Sequence, residues 1–271
     1  MDENSNEPVR FAVIGDVEPK PDPVFDHLRT AVRSINRMHD RAPFDFVAGI
    51  GDIPHRAKDI QYEIATSILR SLEPPFYPIL GNEELDGGTG AIDQFLSYVT
   101  VWNDDGTHID DVSYVRRFGG VRFVFASAQN DGRNFTDREL DWLETVVSAD
   151  PHAPVVAFMH ASPHPAFRKP QRASVRDRVM QFLEHGPVRA VFSGHGHMGI
   201  DHMETIAHGP ANVVHIHVPG IERTKTGTSH VPHLRVGSVD AAGHLTVRTL
   251  NLATDAFEDR YEIEVTPDAE S

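Results

Sequence analysis

The sequence predicts an α/β fold, a two-layered β-sandwich flanked by helices, with chemistry collected where its strands end. Three observations predict it. Short apolar runs alternate with helix-period stretches over most of the chain, which implies parallel strands joined by right-handed crossovers. Five of those runs deliver a ligand-type residue at the C-terminal end: Asp16 after Phe11-Ala-Val-Ile-Gly, Asp52 after Phe46-Val-Ala-Gly-Ile-Gly, Asn82 after Tyr77-Pro-Ile-Leu-Gly, His160 after Val155-Val-Ala-Phe-Met, and His195 after Val188-Arg-Ala-Val-Phe-Ser-Gly. The last run continues Gly194-His195-Gly196-His197, where the glycines allow a turn that aims two imidazoles at one place. One Asp or His at a strand end is ordinarily a cap or a solvated loop residue. Five together follow the rule that function in open α/β sheets gathers at the carboxyl ends of strands.

Taken in order, a strand over Val9 to Gly15 leads through a proline-rich loop at 19–23 into a helix carrying Val24, Leu28, Ala31, Val32 and Ile35 on one stripe. A second strand, Asp45 to Ile50, precedes a helix with Ile60, Ile64, Ile68 and Leu69 aligned, and a third strand spans Phe76 to Leu80. The stretch from Leu85 to Gly119, rich in Gly and Asp at 86–90 and 104–111, reads as a loop placed to cover the site, with one short helix from Ala91 to Val99. Tyr114 to Phe118, Gly119-Gly120 and Val121 to Ala126 read as a hairpin, since paired glycines suit a two-residue turn. Thr136-Asp-Arg-Glu139 forms a capping box ahead of Leu140-Asp-Trp-Leu-Glu-Thr-Val-Val. A strand over Val155 to Met159, a helix over Val175 to Glu184 and a strand over Val188 to Phe192 restore the alternation. Strands at Asn212 to Val218, Leu234 to Val239 and Leu245 to Asn251 follow with no helix between them, so the C-terminal third is expected to form an antiparallel sheet. Residues 8–265 form a single expected domain between polar tails at 1–7 and 266–271.

Composition narrows the function. The 271 residues carry a formal net charge of −15, which argues against a nucleic-acid-binding or membrane-surface protein, because phosphate backbones demand basic patches. Without cysteine there is neither a disulfide scaffold nor a thiolate zinc site. The acidic N-terminus lacks the basic and apolar regions of a signal peptide, and no apolar run reaches membrane-spanning length, so a cytoplasmic location is expected. The 15 phenylalanines are ample for a large core.

In this order the motifs resemble the calcineurin-like metallophosphoesterase superfamily over roughly residues 9–251. That family shows Asp-x-His, Gly-Asp, Gly-Asn-His-Asp/Glu, a lone His after a strand, and Gly-His-x-His; here stand Asp16-Val-Glu18, Gly51-Asp52, Gly81-Asn82-Glu83-Glu84, His160 and Gly194-His195-Gly196-His197. The resemblance implies two divalent ions, Mn favoured over Fe, Zn or Mg. One would be held by Asp16, Asp52 and His197 and the other by Asp52, Asn82, His160 and His195, with Asp52 bridging. It implies hydrolysis of a small-molecule phosphate ester by in-line attack of a hydroxide held between the ions.

Both departures from the pattern replace His with Glu. Glu18 takes the place of a first-site histidine, where a carboxylate can still ligate and favours harder ions. Glu83 takes the place of the histidine that assists the leaving group. An ionised Glu83 repels phosphate, a protonated one serves as general acid, and the residues leave both open. Four carboxylates, Asp16, Glu18, Asp52 and Glu83, against two divalent ions disfavour a dianionic monoester, so a phosphodiester is expected. Charge compensation is sought in Arg56, Arg168, Lys169 and Arg172. In the phosphoprotein phosphatase branch Gly-Asp-x-x-Asp-Arg sets an arginine on phosphate; Gly51-Asp-Ile-Pro-His55-Arg56 keeps the arginine and puts His55 in place of the aspartate. Arg56, His55 and Arg168 are therefore the expected substrate-binding residues, and Asp52, Glu83 and His164 the catalytic ones. His215, His217, His230 and His233 read as structural. The competing expectation is a degenerate relative that keeps the fold and binds a metal, ligand or partner without turnover.

Overall fold

The computed structural model describes residues 7–102, 109–201, 204–227 and 229–267. The tails expected at either end and the Gly/Asp-rich stretch at 104–111 lie largely outside them. The chain runs β1 (Val9–Ile14), α1 (Asp26–Arg41), β2 (Phe46–Gly49), α2 (Asp59–Leu69), β3 (Phe76–Pro78), α3 (Asn82–Leu85), α4 (Ala91–Trp102), β4 (Tyr114–Phe118), β5 (Val121–Ala126), α5 (Asp137–Ser148), β6 (Val155–Met159), α6 (Ala173–His185), β7 (Val188–Ser193), β8 (Ile206–His208), β9 (Val214–His217), β10 (His233–Val239), β11 (Leu245–Asn251), β12 (Ala256–Phe257) and β13 (Ile263–Val265).

Two sheets result. One has the order β12-β11-β10-β1-β2-β3, with β13 on β11, and the other β4-β5-β6-β7-β9-β8. Each has a parallel heart: β1, β2 and β3 in the first, and β5, β6, β7 and β9 in the second. Parallel strands share one C-terminal edge, so the loops leaving β1, β2 and β3 meet those leaving β6 and β7.

The sheets are joined by phenylalanines. Along β5, β6 and β7 alternate residues go to opposite faces: Phe123, Phe125, Phe158 and Phe192 join the core shared with β1 and β2, while Val124, Ala157 and Val191 pack with Leu140, Leu143 and Val179 of α5 and α6. Phe11 of β1 stacks on Phe46 of β2 at 5.4 Å and meets Phe123, Phe158 and Phe192 of the opposite sheet edge-on at 5.5 to 6.1 Å. Such pairs add about 0.5–1.5 kcal/mol each beyond area burial.

The hairpin is formed as expected, with Phe118 paired to Val121 and Gly119 and Gly120 both at positive φ (51° and 81°). The capping box is present too: Thr136 N donates to Glu139 Oε2 at 2.6 Å. Three expectations change. The C-terminal third does not form its own antiparallel sheet; β9 pairs parallel with β7, whereas β10 and β11 extend the other sheet from β1. Alternating hydrophobicity marks a strand without naming its neighbour. Val24 precedes α1 and Ile60 stands on the solvent side of α2, 53% and 51% exposed, because α2 turns Tyr62, Ala65 and Leu69 inward. The loop expected after Leu85 is preceded by a one-turn helix, α3, that begins at Asn82 itself.

Phe11→Ala should cost about 3–5 kcal/mol, the range for emptying a buried aromatic position, measured by urea unfolding. A loss below about 1 kcal/mol would show that the two sheets do not depend on this contact.

Candidate metal centre

Every ligand-type residue expected at a strand end arrives at one place. Asp16 lies two residues beyond β1, Asp52 three beyond β2, Asn82 opens α3 after β3, His160 follows β6 directly, and His195 and His197 follow β7. All are buried. Among the described residues, ligand atoms of Asp52, His160 and His195 lie within 4.8 Å of one another, and so do those of Asp16, Asp52 and His197. Asp52 belongs to both triads.

The backbone is bent to achieve this. Asp16, Asp52, His195 and His197 all have left-handed φ, at 44°, 54°, 62° and 46°. Each such non-glycine residue costs about 1–2 kcal/mol, and strain of this kind persists where a site needs it. Gly81 permits the closest approach, since a Cβ there would stand 2.3 Å from Asp52 Oδ1.

The donor set fits a divalent metal. Asp16 Oδ2 and His195 Nδ1 are buried without a hydrogen-bond partner, and each such atom costs about 1–3 kcal/mol unless something satisfies it; His160 Nε2 and His197 Nε2 are turned to carboxylate oxygens, Asp52 Oδ2 at 3.3 Å and Glu18 Oε1 at 3.0 Å. The opposite ring nitrogens are oriented as metal ligands require: His160 Nδ1 is 2.8 Å from Ile50 O, and His197 Nδ1 is 3.4 Å from Arg223 O. His195 N donates to Asp16 Oδ1 at 2.9 Å, and Glu83 N donates to Asp52 Oδ1 at 2.9 Å. Asn82 Oδ1 accepts from Arg133 Nε at 3.3 Å.

Proton affinities reflect the crowding. Burial opposes charge on His160, yet Asp52, 3.3 Å away, and Asp16 hold its pKa up at about 10. Burial likewise acts against the Asp52 carboxylate, but His160 brings its pKa down to about 2. His195, buried beside cationic His160, is pushed down to about 2.

Glu18 and Glu83 form a third group with His55, again with ligand atoms within 4.8 Å. This group already holds a cation. Lys20 Nζ lies 2.7 Å from Glu18 Oε2 and 3.1 Å from Glu83 Oε1. Glu18 Oε1 also receives Arg223, Lys225 Nζ at 3.6 Å and His197 Nε2 at 3.0 Å. Burial alone would raise the Glu18 pKa, but hydrogen bonds from His197, Lys20 and Arg223 hold it far below the usual carboxylate range. Glu83 Oε2 lies 2.6 Å from His55 Nδ1 and accepts Arg56 N at 3.0 Å.

The expected charge partners lie around the cluster without bonding the carboxylates through their side chains. Arg168 Nη1 donates to Gly196 O at 3.0 Å, between the two terminal histidines. The side chains of Arg56, Lys169 and Arg172 are exposed. His164 packs its ring 5.0 Å from His215 and 5.8 Å from Phe167, where burial lowers its pKa. Lys20, Arg223 and Lys225 were not singled out from the sequence, because isolated cations in loops carry no periodic or motif signal. Glu84 was missed as well. Its oxygens accept Asp52 N at 2.9 Å, Ile53 N at 2.7 Å and Gly81 N at 2.8 Å, tying the two loops together. A glutamate at the third position of a helix is a recognisable capping signal.

The family profile of calcineurin-like phosphoesterases matches residues 9–199. The chain belongs to that family. Glycerophosphodiester phosphodiesterase GpdQ of Enterobacter lignolyticus is 28% identical over 193 residues, 67% of this chain and 66% of that protein. The purple acid phosphatase PPD1 of yellow lupin (Lupinus luteus) seeds superposes with a TM-score of 0.71 at 15% identity, over 97% of this chain and 55% of that one. GAP50, the anchor in the inner membrane complex of Plasmodium, gives 0.64 at 13% identity over 98% and 90%. This chain thus spans about two thirds of the bacterial relative and about half of the lupin phosphatase. The family match makes the chain a member of a family of phosphoesterases, which are hydrolases; the structural likenesses show the same fold. Among the described residues no helix is long and apolar enough to cross a membrane.

A ligating imidazole must be neutral, and His160 carries a proton at pH 8 in the metal-free chain because its pKa is about 10. Adding a divalent metal at pH 8 should therefore release about one proton or more per chain, seen as calorimetric heats that vary with the ionisation enthalpy of the buffer. Heats independent of buffer would contradict the carboxylate–imidazole coupling.

Proposed function

We propose that the protein is a dinuclear metal-dependent phosphodiesterase acting on a small-molecule substrate, with residues 8–265 as one catalytic unit. The observation that carries the proposal is the sharing of Asp52 between two buried triads. Asp16, Asp52 and His197 would hold one ion, and Asp52, His160 and His195, with Asn82 supplying a neutral oxygen, the other. When bound, such ions lower the pKa of water toward neutrality and offset phosphate charge; Mn is the favoured pair, with Fe, Zn and Mg as alternatives.

The chain's own residues arrange the rest. Glu84 fixes the Asp52 and Gly81 loops relative to each other through three backbone donors. Glu18 is assigned here as the acceptor that gathers Lys20, Arg223 and Lys225 at the rim rather than as an inner ligand. Those three cations offset the two extra carboxylates, so electrostatic repulsion by Glu18 and Glu83 no longer distinguishes diester from monoester. Support for a diester comes instead from the bacterial relative, whose name is that of a glycerophosphodiester phosphodiesterase.

With Mn supplied, bis(p-nitrophenyl) phosphate should be hydrolysed with at least about tenfold higher kcat/KM than p-nitrophenyl phosphate, a gap of about 1.4 kcal/mol in barrier. A clear preference for the monoester would sink the diester assignment. Stoichiometric metal binding without hydrolysis of either would favour a non-catalytic binding role.

A further inference from the structure

Glu83 and His55 stand at exchanged positions. Where the resembled motifs carry histidine at 83 and, in one branch, aspartate at 55, this chain has the carboxylate at 83 and the imidazole at 55. The exchange is reciprocal in space as well as in sequence, because His55 Nδ1 and Glu83 Oε2 are 2.6 Å apart. Glu83 is held on both oxygens: Arg56 N donates to Oε2 at 3.0 Å and Lys20 Nζ to Oε1 at 3.1 Å. A carboxylate so surrounded by donors acts as an acceptor, which removes it from the role of acid. An imidazole pinned through Nδ1 has its proton placed there and leaves Nε2 for other work. Among the described residues His55 Nε2 makes no hydrogen bond, and the side chain is 12% exposed, enclosed but reachable.

The pair is tied to the two triads. His55 follows Asp52 by three residues in one loop. Glu83, which accepts from His55 through its side chain, donates its own backbone N–H to Asp52 Oδ1 at 2.9 Å. His164, the histidine expected from the sequence to be catalytic, packs instead against His215 and Phe167.

We propose that His55 is the catalytic residue that protonates the leaving oxygen, and that Glu83 is the positioning residue that holds its ring. The imidazole absent from position 83 is thereby supplied from position 55. This rests on the phosphodiester reading above. In the step, the oxygen of water forms the new bond to phosphorus as the bond from phosphorus to the leaving oxygen breaks. The electron pair of the broken bond stays on that oxygen and takes the Nε2 proton of the ring in its doubly protonated, imidazolium form, leaving the neutral ring with its proton on Nδ1 toward Glu83; water gives one proton to solvent, and solvent reprotonates Nε2. Lys20, shared between Glu83 and Glu18, fixes the carboxylate against which the ring is aligned.

The test compares two diesters with unlike leaving groups, bis(p-nitrophenyl) phosphate and bis(2-hydroxyethyl) phosphate, in the Mn-loaded full chain. His55→Gln, with His55→Asn as a second variant should the first fail to fold, is expected to slow the alkyl diester about 10²- to 10⁴-fold more than the nitrophenyl diester, whose leaving group needs no proton. Glu83→Gln should show the same selectivity with a smaller loss, and Glu83→Asp should restore part of it. A second readout needs no turnover. Nitrogen-15 NMR of the metal-free protein should find the proton of His55 on Nδ1, with a shift toward the Nε2–H form in Glu83→Gln. Equal slowing of both diesters by His55→Gln, or no slowing of either, would overturn the assignment, as would an unprotonated Nδ1 in the wild type. Failure of the wild type on both diesters would instead remove the phosphodiester reading itself, and this assignment with it.

Discussion

The carboxylate of Asp52 is the constraint on which the rest of the site depends. One side chain must serve two triads drawn from both sheets, so the loops after β1, β2, β6 and β7 have to end at a common point. Parallel strands supply the shared edge, and the interlocked phenylalanines keep the two edges in register. The local cost is visible in the left-handed Asp16, Asp52, His195 and His197 and in the buried, unpartnered Asp16 Oδ2 and His195 Nδ1. A chain with no use for a metal would relax these by small changes of sequence, since each is unfavourable by about 1–3 kcal/mol.

Charge is balanced in two separate ways. Around Asp16 and Asp52 the partners are imidazoles, neutral or cationic according to what else is bound. Around Glu18 and Glu83 permanent cations, Lys20, Arg223 and Lys225, join the imidazoles of His197 and His55, brought together from loops more than 200 residues apart in sequence for the Glu18–Arg223 contact. The chain as a whole is acidic, at −15, so this gathering of lysine and arginine is local to the site. The two Glu-for-His replacements therefore change the chemistry of the rim while leaving the shared carboxylate and its histidines in place.

Much of this was legible in the sequence for a physical reason. A buried strand reads as an apolar run, and a ligand-type residue at its end reads as Asp, Asn or His straight after that run or after a Gly, so Asp16, Asp52, Asn82, His160, His195 and His197 announce themselves in one dimension. What stayed hidden depends on three-dimensional neighbours. Lys20 in a proline-rich loop and Arg223 after β9 look like solvated surface until the fold sets both against Glu18. The pairing of β9 with β7 rather than with β10 is invisible to hydrophobic period, and Ile60 was misplaced because a helix of 11 residues tolerates two readings of its inner stripe. The contact between His55 and Glu83 arises only when the fold brings their two loops together, although both residues depart from the family pattern in the sequence itself.

The central claim is that Asp52 joins two metal sites, and metal content measures it most directly. Purified protein equilibrated with excess Mn and then desalted should retain about two ions per chain by elemental analysis, and Asp52→Ala, confirmed folded by its unfolding transition, should lose both. Retention of one ion or more by the folded Asp52→Ala protein, or an empty wild type, would contradict a centre built around a shared carboxylate.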